Sequence, residues 1–173
     1  MIPVYTESEM FEKPTVKRFY VENYPYFVTT ATYKKKPLFV DTKKAEILKN
    51  VIYNFRSHKR YLVLSFVIMP DHLHLLLVPA KNYDISKIMH TIKRGSARLI
   101  NQELKSSGKV WEPRFFDRVA RSKQELINDI TYIHFNPVEK GLVEKPEEFL
   151  FSSANPRFEN DLEEYFNGRP PDR

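Results

Sequence analysis

The sequence predicts an α+β fold, a small antiparallel sheet with helices packed against it. Three observations lead there. Short runs of β-branched and aromatic residues end in turn residues. Longer stretches carry apolar residues at spacings of three and four. The two kinds alternate as strand, helix, strand, strand, helix, strand, helix, the order of a ferredoxin-like domain.

The first strand is YFVTTATY at 26–33, entered at Pro25 and left at the run Lys34-Lys35-Lys36-Pro37. Asp41 or Thr42 caps a helix to about Ser57, with Ile47, Leu48, Val51, Ile52 and Phe55 on one face. YLVLSFVIM at 61–69 is the second strand. Pro70 and Asp71 turn the chain, and residues 72–78 return as the third, giving an antiparallel hairpin. Asp84 caps a long helix that buries Ile85, Ile88, Met89, Ile92, Leu99 and Ile100 and shows Lys87, Lys93, Arg94 and Arg98 on its other side. Residues 115–120 form a short fourth strand. Ser122 and Glu125 then make an S-x-x-E capping box, the Ser side chain on the N3 amide and the Glu on the cap amide. Pro137 biases Asn136 out of helical geometry, so this helix is expected to end there. Past Glu147 the chain reads as peripheral.

Composition narrows the function. A chain of 173 residues with 42% hydrophobic and 14% aromatic residues fits one globular domain. No apolar run is long enough to span a bilayer, and the start, MIPVYTESEMFE, has acids where a leader has bases, so a cytoplasmic protein is expected. With no cysteine there is no disulfide, thiolate ligand or thiol nucleophile. The four glycines are scattered singly, which excludes a glycine-rich phosphate loop. Residues 1–12 carry three acids and no Lys or Arg, and residues 158–173 carry five acids against two arginines. Each end is therefore −3, and the span between them holds +12 of the total +6. A body this basic suits a polyanionic partner.

Chemistry concentrates in two places. In MPDHLHLLLVP, at 69–79, His72 and His74 share one strand face while Leu73, Leu75 and Leu77 take the other. Two neighbouring imidazoles are half of a metal site, and the remaining ligand must come from elsewhere. On the Ser122 helix, Leu126, Ile127, Ile130 and Ile133 form the arc expected to face the core. Tyr132 lies off that arc, beside Asn136, Glu125 and Asp129, whereas His134 falls within it and reads as a packed, hydrogen-bonded histidine. Asn136, one turn beyond Tyr132, puts a carbonyl oxygen on the tyrosine's face. A divalent cation, a phosphodiester and a tyrosine oxygen together suit transesterification at phosphorus.

MPDHLHLLLVP resembles the HUH motif (His, hydrophobe, His) of the single-tyrosine transposases of bacterial insertion sequences and of the REP-associated tyrosine transposases. The likeness continues through WEPRFFDRVARSKQELINDITYIHFNPVEKGLV at 111–143, similar to the family's W-x-x-R-F-[FW] segment and its Y-I-x-x-N-P-V-x-x-G-L-V run. YFVTTATYKKKPLF resembles the family's first strand. The likeness spans residues 17–153, setting off 1–16 as an N-terminal extension and 154–173 as an acidic C-terminal tail. It implies a ferredoxin-like fold, a divalent cofactor (Mg²⁺ or Mn²⁺) and single-stranded hairpin DNA as substrate. It also implies cleavage that leaves a 5′-phosphotyrosine and a free 3′-hydroxyl. Carried over, His72 and His74 correspond to the metal-binding histidines, Tyr132 to the nucleophile and Asn136 to the residue that completes the metal shell.

Lys87, Lys93, Arg94, Arg98, Arg114, Arg118 and Arg121 are the candidates for DNA-backbone contacts, which position without specifying sequence. Each could equally be a plain surface charge. Two other readings use the same residues: a hairpin-DNA-binding protein that keeps the fold without turnover, and a metal hydrolase acting through water, in which Tyr132 is idle. The sequence leaves open whether the site is built in one chain or shared across a homodimer.

Overall fold

The computed structural model describes residues 23–58 and 60–168. The N-terminal extension read at 1–16 lies outside them. Four strands, β1 (Tyr26–Ala31), β2 (Tyr61–Ile68), β3 (His72–Pro79) and β4 (Phe116–Val119), form one antiparallel sheet in the order β2-β3-β1-β4. Helix α1 (Thr42–Ser57) links β1 to β2, and α2 (Ile85–Glu103) links β3 to β4. Because β3 separates β1 from β2 and β1 separates β3 from β4, the topology is two interlocked split βαβ units. This is the ferredoxin-like α+β architecture expected. Among the described residues no helix is long and apolar enough to cross a membrane.

The start signals act locally as read. The Asp41 side chain accepts from the Lys43 amide, and Asp84 accepts from the Lys87 amide at 2.7 Å. Ser122 caps α3 (Lys123–Glu139) by accepting from the Glu125 amide at 3.1 Å. Glu125 reaches back one residue further than a capping box requires, to the Arg121 amide at 2.7 Å.

Alternation along β3 divides the core in two. Leu73, Leu75 and Leu77 pack with α1 and α2 on one face of the sheet. Phe27, Val67, Leu76 and Val78 pack on the other, with Leu126 and Ile133 of α3.

Three expectations are corrected. Helix α3 runs through Pro137 to Glu139, because proline forfeits only its own amide bond and the last turn closes with Lys140 N–H donating to Asn136 O at 3.1 Å. The inward face of this helix is also made up differently at its margins: Leu126 and Ile133 are buried and Ile130 half-buried as expected, but Asp129 and Asn136 are buried too, at 1% and 3% exposure, while Ile127 is 44% exposed. Finally, the segment past Glu147, which runs into the acidic tail read at 154–173, is not peripheral over its described part. Phe151, Ser152 and Ser153 are buried, and the backbone of Phe151, Ser153 and Asp161 pairs with the outer edge of β2. Asp161 is buried and binds the Arg56 guanidinium with both carboxylate oxygens, while Oδ2 also accepts from the Val63 amide. A seven-residue helix, α4 (Leu162–Gly168), then buries Tyr165 against the α3 face.

Candidate active site

Strand β3 presents His72 and His74 to the α3 face of the sheet, their ring centroids 4.7 Å apart. Register puts Ala31 opposite His72 and Thr29 opposite His74 on β1. Thr29 Oγ1 lies 2.8 Å from His74 Nδ1 in a fully buried contact. When Nδ1–H donates to that oxygen, Nε2 keeps its lone pair. His72 Nδ1–H donates to Asp71 Oδ1 at 2.6 Å, which likewise leaves Nε2 as the outward acceptor. The same bond is the main reason that the Asp71 carboxyl is held below its usual range. Burial, helped by the charges of His72 and Lys140, drives the His74 pKa well below 6.5, so its ring is neutral at pH 7.

Helix α3 lies over this pair. The ring of Tyr132 sits 5.2 Å from that of His74 and 5.8 Å from that of Phe27, edge-on to both. Asn136 is buried one turn further on, and its Oδ1 has no hydrogen-bond partner. An amide oxygen sealed from water with nothing to accept from is costly unless something fills the role. Two imidazole nitrogens and that oxygen are a nitrogen/oxygen donor set suited to a divalent cation. The residues therefore fit a metal of this kind. Among the described residues no group of three or more His, Asp or Glu side chains is placed to hold a metal ion, so this set depends on the amide oxygen.

The seven basic candidates do not converge. Lys87, Arg94 and Arg98 are exposed on α2, across the sheet from Tyr132. The Lys93 ammonium turns inward and donates to the carbonyls of Glu112 at 2.7 Å, Pro113 at 3.1 Å and Arg114 at 3.3 Å. Arg114 and Arg121 are exposed near the ends of β4. Arg118 is half-buried, paired with the buried Asp129 and stacked 4.9 Å over the Phe27 ring. The expectation of a backbone contact thus meets partners within the protein for both, loop carbonyls for Lys93 and the buried Asp129 carboxylate for Arg118. A cleft of about 390 Å³ between α2 and the 108–115 segment collects His90, Lys93, Arg94 and Lys109 on the α2 side of the sheet.

Sequence reading missed Phe27, Thr29, Asp71 and Asp129 as members of the site. Strand pairing brings the first two to His74, and neither carries a signal of its own. Asp71 sits next to His72 and was read only as a turn residue. Asp129 was visible three residues before Tyr132, a spacing that shares a helix face, but its partner on β4 was not.

The family model for IS200-like transposases matches residues 20–135. A REP-associated tyrosine transposase of Escherichia coli K12 is 23% identical over 138 residues, covering 79% of this chain and 80% of the relative. A Haemophilus influenzae protein provisionally named a REP-associated tyrosine transposase is 29% identical over 123 residues, 61% of this chain and 70% of its own. Among solved structures, a REP-associated tyrosine transposase bound to a REP hairpin superposes with a TM-score of 0.69 at 20% identity, over 85% of this chain and 89% of that one.

Proposed function

Since this chain belongs to the IS200-like transposase family, we propose that it cuts and rejoins single-stranded hairpin DNA through a covalent bond to Tyr132. The observation that carries this reading is the meeting of Tyr132 with the paired histidines, 5.2 Å from the His74 ring, beside the buried and unsatisfied oxygen of Asn136. His72 and His74 through Nε2, and Asn136 through Oδ1, would hold Mg²⁺ or Mn²⁺. A cation bound there draws charge from an oxygen of the scissile phosphate. The Tyr132 oxygen attacks phosphorus, forming the O–P bond as the bond to the 3′ oxygen breaks. The phenol proton passes to solvent, and the departing oxygen takes one up as a 3′-hydroxyl. Attack by a second 3′-hydroxyl on the phosphotyrosine reverses the exchange, so no nucleotide cofactor is consumed. The hairpin carried by the solved relative suggests the substrate class.

The test is Tyr132→Phe, incubated with labelled single-stranded stem-loop oligonucleotides and Mn²⁺ and run on a denaturing gel. The substitution removes one oxygen from a half-buried ring, so hairpin affinity and unfolding temperature stay near wild type. Cleavage and the protein–DNA adduct both vanish. A Phe variant that still cuts at a comparable rate makes water the nucleophile, and the chain a hydrolase. A wild type that binds hairpins but never forms an adduct is a binding protein.

A further inference from the structure

Among the described residues Asp129 is the one carboxylate buried in the α3 face beside the tyrosine, and it stands three residues before Tyr132, on the same side of the helix. One oxygen pairs with the Arg118 guanidinium, while the other has no hydrogen-bond partner. Arg118 stands directly across from Phe27 in the β1·β4 pairing and lies over its ring at 4.9 Å. That ring touches both working groups: it stacks on His74 at 5.6 Å and meets Tyr132 edge-on at 5.8 Å. The contacts form one unbroken chain, from Asp129 through Arg118 and Phe27 to Tyr132 and His74. A leucine at 129 would pack beside Leu126 and Ile133 at less cost than a carboxylate, and replacing a buried ion pair by apolar residues is often neutral or stabilising. Core stability is therefore a poor account of the pair. What it adds is direction, since it ties edge strand β4 to the helix turn that carries Tyr132 and presses Phe27 from its outer side.

We infer that Asp129 and Arg118 are positioning residues whose ion pair, acting through the Phe27 ring, holds Tyr132 in place for attack on the phosphodiester. The inference rests on the tyrosine-nucleophile reading above. It makes Arg118 part of the support for the tyrosine and not a contact to the DNA backbone. Rates are sensitive to such support, because a displacement of about 1 Å can cost about 10²-fold.

The experiment compares wild type with Asp129→Asn, Arg118→Met and Arg118→Lys, using stem-loop oligonucleotides that tile the flanks of its gene. Adduct formation is timed at saturating protein in Mn²⁺, alongside the oligonucleotide Kd, the Mn²⁺ affinity by electron paramagnetic resonance and the unfolding midpoint. Asp129→Asn and Arg118→Met should slow the saturated rate by about tenfold or more. Kd and Mn²⁺ affinity should hold within about twofold, and the fall in the saturated rate should exceed what any accompanying change in the unfolding midpoint accounts for. Arg118→Lys, which keeps the pair and a cation over Phe27, should recover most of the rate. Saturated rates equal to wild type in both neutralising variants overturn the inference while leaving the nucleophile reading intact. A raised Kd at an unchanged saturated rate overturns it too and returns Arg118 to the DNA. So does a rate that falls only in step with the unfolding midpoint, or one that Arg118→Lys does not restore. A wild type that forms no adduct overturns the nucleophile reading, and this one with it.

Discussion

His72 and His74 are each fixed through Nδ1, one by a carboxylate and one by a threonine hydroxyl, so both present Nε2 on the α3 side of the sheet. Partners of this kind set the tautomer and orientation of a metal-binding imidazole, and losing one typically costs about 10- to 100-fold in metal affinity. Thr29→Val keeps the shape and removes the oxygen, so it should weaken Mn²⁺ binding by roughly that factor. His72→Ala or His74→Ala should abolish cleavage with the fold intact, since the leucines on the other face of β3 are untouched; full activity in the double variant would sink the metal assignment. Asp129 makes a prediction about pH. Burial, opposed by Arg118, pushes its carboxyl up to about 6 from 3.8. The folded state thus holds this proton more tightly than the unfolded chain. The stability that Asp129 contributes is full below pH 3.8 and is lost as pH rises through about 6. Asparagine has no such loss. Denaturant titrations of metal-free protein at pH 4 and pH 7 should therefore shift the comparison toward Asp129→Asn by on the order of 2–3 kcal/mol as pH rises. No shift between the two pH values would mean that the carboxylate stays ionised in the folded protein throughout.

At the scale of elements, the informative departure is at the margins of the inward face of α3. The apolar pattern put Ile127 inward and Asp129 and Asn136 outward, and the structure reverses all three. The cause lies in the sheet beneath, which offers Arg118 to Asp129 and the histidine pair to the face that carries Asn136. Ile127→Glu should accordingly change stability by no more than about 0.5 kcal/mol. The opposite holds for the segment after Glu147, whose acids appear solvated in sequence. Asp161 satisfies Arg56 and the Val63 amide on the β2 edge at once. Removing one partner of a buried ion pair strands the other charge, so Asp161→Ala should cost about 3–5 kcal/mol, read as a large drop in the denaturation midpoint. A cost below about 1 kcal/mol would show that the C-terminal segment only rests on the sheet.

For the whole molecule, a basic body meets a sheet whose two faces differ in character. One carries Tyr132 and the histidines, and the other carries the exposed Lys87, Arg94 and Arg98 of α2. If phosphates engage that surface, counterion release makes affinity steeply dependent on salt. Hairpin binding should fall by roughly 10²-fold or more between 50 and 200 mM salt, and should exceed binding to a fully paired duplex of the same composition. Equal affinities for the two DNAs across a salt titration would count against the substrate proposed. Charge reversal on α2 should flatten the salt slope, whereas Lys93, spent on three carbonyls, should alter it little without first disturbing the 112–114 segment.

The sequence by itself determined the order of the elements through α3, the caps of α2 and α3, the split of β3 into a leucine face and a histidine face, and the membership of one family. Those features depend on neighbours along the chain, where spacing of two or of three and four already says which side chains share a face. Tertiary structure alone decided which polar residues of α3 join its inward face, which basic residues are tied to distant parts of the chain, and how the chain after Glu147 closes the β2 edge. Each of these depends on a partner distant in sequence: Arg118 for Asp129, three backbone carbonyls for Lys93, Arg56 and the Val63 amide for Asp161. A pattern must treat a lone Asp or Asn as a solvent-facing group, because burying a polar group is costly until a hydrogen-bonding or charged partner compensates it, and only the fold supplies that partner.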